Sequence, residues 1–247
     1  MIDLHCHVLP NIDDGASNLS DSVRLCAIAE SENISTIVCT PHFANYGEIE
    51  EFVIVRESRY EQLCEAVDEE NIFLDIKLGC ELYLDSEIFS APSLDRITIN
   101  NSRYMLCEFS LGRFDYEEAL GWIDELIRRG YMPILAHPER YSVFQHTPEI
   151  INYFAKRDIL FQINADSLAG MGGRNAYSLA HELVSKNLVD FIGSDAHSPR
   201  GRANDLLTKS EYFPDFMDND MLERLLELNP EKVLHDLPVE RQRRGII

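Results

Sequence analysis

Strand-like and helix-like segments alternate along most of this chain of 247 residues. Short runs rich in apolar and β-branched residues are each followed by a segment whose apolar residues recur at helical spacing. The predicted strands cover residues 2–8, 34–40, 76–83, 104–109, 132–138, 160–165 and 188–197, with a further short strand at 97–99. The predicted helices cover 19–32, 50–69, 116–129, 148–156 and 175–187, and a helical pair covers 219–235. Repeated βα units predict a parallel sheet.

Side chains that can bind metals recur at or just beyond the ends of these predicted strands. They are His5, His7, Asp14, His42, Glu81, Glu108, His137, Asp195 and His197. A closed parallel barrel gathers the carboxyl ends of all its strands at one face, whereas an open sheet concentrates its site at one switch point. Because nearly every strand contributes, the sequence favours a closed or nearly closed α/β barrel that spans the chain, 1–247, as a single domain.

The first strand carries two of these side chains. With the period of two that strands have, His5 and His7 project to one face, and Leu4, Cys6 and Val8 project to the other. Two buried imidazoles side by side need hydrogen-bonding partners or a metal. The whole set has five imidazoles and four carboxylates without a thiolate, which suits two or three ions of manganese, iron or zinc.

Charge and composition exclude several kinds of partner. The formal net charge is −21, whereas nucleic acids and anionic membranes both require a basic surface. No run approaches the roughly 18 apolar residues of a membrane helix. The six cysteines lack C-x-x-C spacing and no secretory signal is recognisable, so we expect reduced thiols and a cytoplasmic location. The basic segment 240–247 is expected to be flexible or to form a contact in a homo-oligomer.

Six motifs resemble those of the polymerase and histidinol phosphatase (PHP) superfamily. They are His5-Cys6-His7, Asp13-Asp14-Gly15-Ala16, Thr40-Pro41-His42, Gly79-Cys80-Glu81, His137-Pro138-Glu139-Arg140 and Ser194-Asp195-Ala196-His197. More closely, the chain resembles the metal-dependent protein-tyrosine phosphatases encoded with bacterial capsule and exopolysaccharide genes. This resemblance implies a distorted parallel barrel of seven strands, (β/α)7, with a site for three metal ions, usually manganese.

The resemblance also implies how the ligands are shared among the ions. One ion would bind His5, His7, Glu81 and Asp195, a second Glu81, Glu108 and His137, and a third Asp14, His42 and His197. Arg140 and Arg202 would contact the phosphoryl oxygens as bidentate donors. The family often has Asn after its Asp-Ala-His motif, where this chain has Ser198.

The implied reaction is hydrolysis of phosphotyrosine. Closely spaced divalent ions lower the pKa of a bound water and stabilise both oxygens of an in-line displacement. Tyrosine has a pKa of about 10, so a tyrosinate can leave without a dedicated general acid. The expected substrate is a phosphotyrosine protein, the tail of a bacterial tyrosine kinase. Aromatic residues near the motifs could form a slot for its ring: Phe43, Tyr46, Phe114, Tyr141 and Phe144.

Other interpretations of the same residues stay open. The metals could serve a small-molecule phosphatase of the histidinol-phosphate type, or an amide hydrolase, and a non-catalytic metal-binding module is a further alternative. Cys107 and Arg113 have the C-x5-R spacing of cysteine-dependent tyrosine phosphatases. That mechanism requires a thiol of lowered pKa, and Glu108 inside the loop would repel a phosphate.

Overall fold

A computed structural model describes residues 1–44, 48–241 and 246–247 of the chain. These residues form nine strands, and the pairings between them are parallel. The strands are β1 (Ile2–Cys6), β2 (Thr36–Cys39), β3 (His42–Phe43), β4 (Asp75–Leu78), β5 (Glu81–Tyr83), β6 (Tyr104–Glu108), β7 (Met132–Ala136), β8 (Leu160–Asn164) and β9 (Phe191–Gly193). The seven principal strand predictions are confirmed, with shorter ends.

One predicted strand is interrupted and another is followed by a further short strand, which is why nine strands occupy seven positions. The second predicted strand stops at Cys39, and β3 begins only after Pro41. The third is broken at Gly79 into β4 and β5. Proline cannot donate a hydrogen bond to a strand ladder. A Cβ at Gly79 would lie 3.1 Å from a side-chain carbon of Thr40, so the two breaks pack closely against each other.

The strands surround one interior. Their order is β1-β2-β4 in one sheet and β3-β5-β6-β7-β8-β9 in the other, and the two broken segments pass from the first sheet into the second. On the opposite side, β1 meets the segment after β9. There Asp195 N donates to His5 O and His7 N donates to Ala196 O, both at 2.8 Å. The architecture is the distorted parallel (β/α)7 barrel that the sequence predicts.

The predicted face of Leu4 is wrong. The register of β1 against β2 shifts between Asp3 and Cys6, and such a bulge interrupts the alternation of a strand. Leu4 therefore packs inside the barrel beside Val38, whereas Cys6 and Val8 pack in the outer layer under the helices. The shift occurs directly below the two histidines of the first motif.

Most helices lie in the connections between the strands, and the last three follow β9. They are α1 (Leu19–Ser31), α2 (Ile49–Glu69), α3 (Tyr116–Arg128), α4 (Ser142–His146), α5 (Ile151–Ala155), α6 (Ala165–Leu168), α7 (Arg174–Ser185), α8 (Leu206–Ser210), α9 (Asn219–Glu223) and α10 (Asn229–Leu234). Side chains cap three helices at their starts: Asn18 accepts from Asp21 N at α1, Asp115 accepts from Glu117 N and Glu118 N at α3, and Asp218 accepts from Met221 N at α9. Such caps satisfy backbone N–H groups that have no partner within the helix.

Three other sequence predictions are corrected. The strand expected at 97–99 is wrong, because two 3-10 turns, Asp95–Ile97 and Ile99–Asn101, occupy that region. Asn100 and Asn101 have φ values of 49° and 56°, which end any extended segment there. The helix predicted at 148–156 begins as a 3-10 turn and is α-helical only in α5. The helical pair at 219–235 is one continuous helical run, in which a π-helical segment (Arg224–Leu228) joins α9 to α10.

Two clusters of buried apolar residues lie on opposite faces of the strands. The larger cluster packs the outer faces of the strands against the helices. The smaller one fills the barrel interior near the amino ends of the strands: Ile2, Leu4, Val38, Ile99, Tyr104, Leu106, Ile134, Ala136, Leu160, Phe191 and Val233. Val233 belongs to α10, so this helix closes the lower end of the barrel. The interior near the carboxyl ends is left to polar side chains.

The segment after α10 packs along the lower end of the barrel. Arg103 Nε donates to Asp236 Oδ1 at 2.9 Å, and Arg241 pairs with Asp158. The rest of the predicted flexible tail includes residues 242–245, which lie outside the described residues. Among the helices that the structure describes, none combines the length and the apolar character needed to cross a bilayer.

Candidate metal centre

The structure brings all nine predicted residues together at the carboxyl end of the barrel. Strands and the turns that follow them position these side chains: His5 on β1, His42 on β3, Glu81 on β5, Glu108 on β6, His137 directly after β7, Asp195 and His197 after β9, and His7 and Asp14 after β1. Four overlapping groups bring their ligand atoms within 4.8 Å of one another: His7, Asp14, His42 and His197; His5, His7 and Glu81; His5, His137 and Asp195; His42, Glu81 and Glu108.

Glu81 lies at the centre of the cluster, fully buried. Its Oε2 is 3.1 Å from His5 Nε2, from His7 Nε2 and from His42 Nδ1. Its Oε1 is 2.9 Å from His137 Nε2. One carboxylate from β5 therefore contacts four imidazoles from three other segments, as a ligand shared between metal ions would.

The position of Glu108 differs in part from the implied grouping. Glu108 Oε1 lies 3.0 Å from His42 Nδ1, whereas Glu108 Oε2 lies 3.9 Å from His137 Nε2. Asp14 Oδ1 lies 3.4 Å from His42 Nε2 and 3.3 Å from His197 Nε2, so the implied third set is assembled. His42 thus faces Glu81 and Glu108 with Nδ1 and Asp14 with Nε2.

Hydrogen-bond acceptors orient the rings of His5 and His7 through their Nδ1 atoms. His7 Nδ1 is 2.7 Å from Asp13 Oδ2, and His5 Nδ1 is 2.9 Å from Gln162 Oε1. A neutral imidazole that donates through Nδ1 presents a lone pair at Nε2. The two Nε2 atoms are 3.2 Å apart. Their lone pairs therefore point at each other and at the Glu81 carboxylate.

This arrangement fits a cation. Glu81 Oε2 and His42 Nδ1 are buried and have no hydrogen-bond partner among the described residues, despite their close contacts. Buried lone pairs that face one another and a carboxylate are repulsive unless a positive charge lies between them. Imidazole and carboxylate donors together suit manganese, iron or zinc. The donor set is therefore one that divalent metal ions would satisfy.

The pKa values of the cluster reflect these close contacts between imidazoles and carboxylates. Burial alone would lower the pKa of His7, but its hydrogen bond to Asp13 and its close contact with the Glu81 carboxylate raise that pKa to about 10. Burial would raise the pKa of Glu81, but facing imidazoles, first His5, hold it well below its usual range. For His197, burial and repulsion from His7 lower the pKa to about 4. Without a cation, the cluster keeps its carboxylates charged by protonating some of its imidazoles.

Two of these residues have strained backbones. His137 has a φ of 34° and Asp195 a φ of 53°, in the left-handed region that side chains other than glycine seldom adopt. His137 directly follows β7, and Asp195 lies two residues beyond the end of β9. Such strain persists only where surrounding structure enforces it, and it concentrates at functional sites.

Arg140 and Arg202 lie at the mouth of the cluster and meet at one atom. Arg140 Nη1 and Arg202 Nη1 donate to Asp195 Oδ2 at 2.8 and 2.9 Å. Their side chains are 30% and 27% exposed, so both guanidinium groups can be reached by a ligand. The predicted pair is therefore assembled at the cluster, where it contacts a carboxylate.

The geometry can be compared with known proteins. The family model for capsular polysaccharide synthesis, CpsB/CapC, matches residues 1–235. The chain belongs to this family.

Named members of the CpsB/CapC family are similar over most of their length. The tyrosine-protein phosphatase YwqE of Bacillus subtilis is 32% identical over 244 residues, which cover 98% of this chain and 94% of the relative. The tyrosine-protein phosphatase CpsB of Streptococcus agalactiae is 28% identical over 214 residues, covering 80% and 83%. A crystal structure from a study of YwqE and of CpsB from Streptococcus pneumoniae, described as unique metal-dependent tyrosine phosphatases, superposes with a TM-score of 0.87. It is 30% identical and covers 100% of this chain and 99% of its own.

Most of the proposed aromatic slot is core in this CpsB/CapC protein. Phe43 is buried against Phe52, and Tyr141 and Phe144 are fully buried and pack edge to face. Phe114 is half-buried and packs edge to face on Tyr141. Tyr46 lies outside the described residues. The four described aromatics are therefore packing residues.

The cysteine-based alternative does not fit the structure. Cys107 is fully buried in the outer layer, and burial raises the pKa of its thiol well above the usual range. A nucleophilic cysteine needs a lowered pKa and access to substrate. In this member of the CpsB/CapC family the thiol therefore packs under the helices.

Three residues that contact the cluster were missed by sequence reasoning. Asp13 was quoted only as part of a motif, yet it accepts from His42 N at 3.1 Å and from Gly15 N at 2.9 Å besides contacting His7. Gln162 and Asn164 on β8 were not considered. Their spacing of two places both on the inner face of a strand, and this was the available signal.

Proposed function

We propose that this chain is a metal-dependent protein-tyrosine phosphatase that hydrolyses phosphotyrosine on a bacterial protein. Membership of the CpsB/CapC family and the names of its relatives support the reaction. The observation that carries it is the buried carboxylate of Glu81, whose Oε2 faces three imidazole nitrogens at 3.1 Å and has no hydrogen-bond partner within the described parts of the chain. A metal ion bound between these donors would satisfy their lone pairs.

We propose two or three divalent ions, manganese above iron or zinc. The nine donors would hold them: His5, His7, Asp14, His42, Glu81, Glu108, His137, Asp195 and His197. Three ions and the two arginines together carry more positive charge than the four carboxylates carry negative charge. The site is then locally positive although the whole chain is acidic, so it attracts a phosphate dianion.

The bound metal would supply a water of lowered pKa and a Lewis acid for the phosphoryl oxygens. The protein's own part is to bind and orient the substrate. Arg140 and Arg202 are placed to turn from Asp195 Oδ2 to the phosphoryl oxygens, where planar guanidinium groups form bidentate hydrogen bonds. A tyrosinate, with a pKa of about 10 in the free amino acid, leaves without a protonated side chain beside it.

The proposed substrate is a phosphotyrosine-bearing protein of the bacterial cytoplasm, the tail of a tyrosine kinase linked to capsule or exopolysaccharide synthesis. The function described for the matching family supports the link to capsule synthesis. All six cysteines are free, and five of them are buried, as is common in a reducing compartment.

Metal analysis of the purified protein, combined with hydrolysis of phosphotyrosine and phosphoserine peptides, tests this proposal. We expect bound manganese, iron or zinc, loss of activity in chelator, and preference for phosphotyrosine. Cys107→Ser is the control and should keep its activity. Equal rates on the two peptides would overturn the tyrosine assignment, and full activity in chelator would overturn the metal assignment.

A further inference from the structure

Two amides on β8 lie between two of the proposed ligands. Gln162 and Asn164 are both buried, 0% and 2% exposed. His5 lies on one side of this pair and Asp195 on the other. Each amide contacts one of the proposed donors directly.

The orientation of the Gln162 amide follows from its neighbours. Its Nε2 donates to Ile163 O at 2.8 Å and to Asn164 Oδ1 at 3.0 Å. Both N–H groups therefore have acceptors, and Oε1 is the atom left to face His5 Nδ1 at 2.9 Å. An amide oxygen can only accept, so His5 carries its proton on Nδ1. The Nε2 lone pair then points into the cluster.

Asn164 continues this chain of hydrogen bonds to Asp195. Because its Oδ1 accepts from Gln162, its Nδ2 is the group that faces Asp195 Oδ2, at 2.6 Å. The same Oδ2 also accepts from Arg140 and Arg202. Three donors occupy one oxygen. Asp195 Oδ1 is left to face His5 Nε2 at 3.5 Å.

We propose that Gln162 and Asn164 are positioning residues that fix the His5 tautomer and the orientation of the Asp195 carboxylate together. Asn164 is buried and the arginines are not, so Asp195 keeps one donor when the arginines turn to a phosphoryl group. This inference rests on the proposed function in taking His5 and Asp195 as metal ligands. It does not depend on which phosphoester is hydrolysed.

Gln162→Met tests the pair through metal affinity, because methionine has a similar length but cannot accept strongly from His5. We expect the dissociation constant for Mn²⁺, measured by titration calorimetry, to rise by about 10- to 100-fold, the usual effect of removing a group that orients a ligand. Gln145→Met is the matched control, since the Gln145 side chain contacts only Glu139 O at 2.8 Å among the described polar groups. It should bind Mn²⁺ as the wild type does. Unchanged affinity in Gln162→Met would overturn the inference.

Asn164→Leu tests the other half. We expect weaker Mn²⁺ binding by about 10-fold or more, and recovery of most of kcat when Mn²⁺ is in large excess. A residue that acts on substrate directly would not be rescued by metal. Failure of excess Mn²⁺ to restore kcat in a variant that binds the metal would contradict a positioning role.

The wild-type protein offers a measurement that does not require a folded variant. With Zn²⁺ bound, the ¹⁵N shifts of the His5 ring should report a protonated Nδ1 and a metal-bound Nε2. The opposite tautomer would overturn the inference whatever the variants do. Absence of any metal binding by the wild type would instead overturn the proposed function, so the two failures are distinguishable.

Discussion

The two ends of the barrel interior are built in opposite ways. The lower end is filled by apolar side chains, such as Leu4, Tyr104 and Phe191. The upper end holds imidazoles and carboxylates, and the central ones are equally buried: His5 and Glu81 are each 0% exposed. Both ends are lined by the same parallel strands, so the difference arises from residues only a few positions apart along the chain, as at Leu4 and His5 or Tyr104 and Glu108.

This contrast shows where stability and function come from. Apolar burial in the lower half stabilises the barrel without any ligand. In the upper half, buried charged groups are costly unless they are paired or bind metals. Packing of the lower half should therefore not require metal, whereas the arrangement of the side chains in the upper half should depend on it. Substitutions in each half, and removal of metal, should therefore separate stability from metal binding.

His5→Ala should remove metal and activity together and leave the barrel folded. The loss of activity should exceed the roughly 100-fold effect of removing a mere supporting group. Metal content and hydrolysis of p-nitrophenyl phosphate, with far-UV circular dichroism for folding, measure it. His146→Ala is the control, since His146 is exposed and its ring contacts Ser142 O. An unfolded His5→Ala protein would mean that the upper half also carries the fold.

Arg202→Ala should separate substrate binding from metal binding. Loss of one donor to the transition state typically costs about 10²- to 10³-fold in kcat, while Asn164 still holds Asp195. Steady-state kinetics and Mn²⁺ titration of the same sample measure both quantities. Arg113→Ala, at an exposed position, is the control and should behave as wild type. An equal loss of metal affinity in Arg202→Ala would show that the arginine supports the metal ligand instead.

The sequence predicts the position of the candidate metal centre for a physical reason. Parallel strands end at one face, so a donor at the end of each strand must join a common cluster. His42, Glu81 and His137 could be placed in this way without knowing any contact. The break at Pro41 also carries a local signal, because proline cannot pair within a sheet.

Other features depend on tertiary contacts that local patterns do not encode. The shift in β1 that turns Leu4 inward arises from its register against β2. The segment at 97–99 has β-branched residues and is predicted as strand, yet left-handed Asn100 and Asn101 turn the chain there. Likewise, the meeting of Arg140 and Arg202 at Asp195 joins residues from two different loops. No spacing within either loop predicts that contact.

Leu160→Ala should weaken the lower half without touching the upper half. Leu160 is 1% exposed in the inner cluster, and a buried Leu→Ala change costs about 2–5 kcal/mol. Urea unfolding in chelator measures the loss, and Mn²⁺ affinity should stay unchanged. Leu207→Ala, at a position 43% exposed, is the control and should lie within about 0.5 kcal/mol of wild type. A parallel loss of metal affinity would break the proposed division between the two ends.

Without metal, the stability of the upper half should depend on pH. The pKa of His7 is raised from 6.5 to about 10 in the folded protein, so its protonation contributes stability fully below pH 6.5 and this contribution is lost as the pH rises through about 10. In chelator, Tm from scanning calorimetry should therefore fall across that range, and His7→Gln should fall less. Because Mn²⁺ and protons compete for the same imidazole nitrogens, the rise in Tm caused by Mn²⁺ should grow over the same range. Identical slopes for wild type and His7→Gln would mean that protons on this histidine do not replace the metal, and the upper half would then need another explanation for how it folds without a cation.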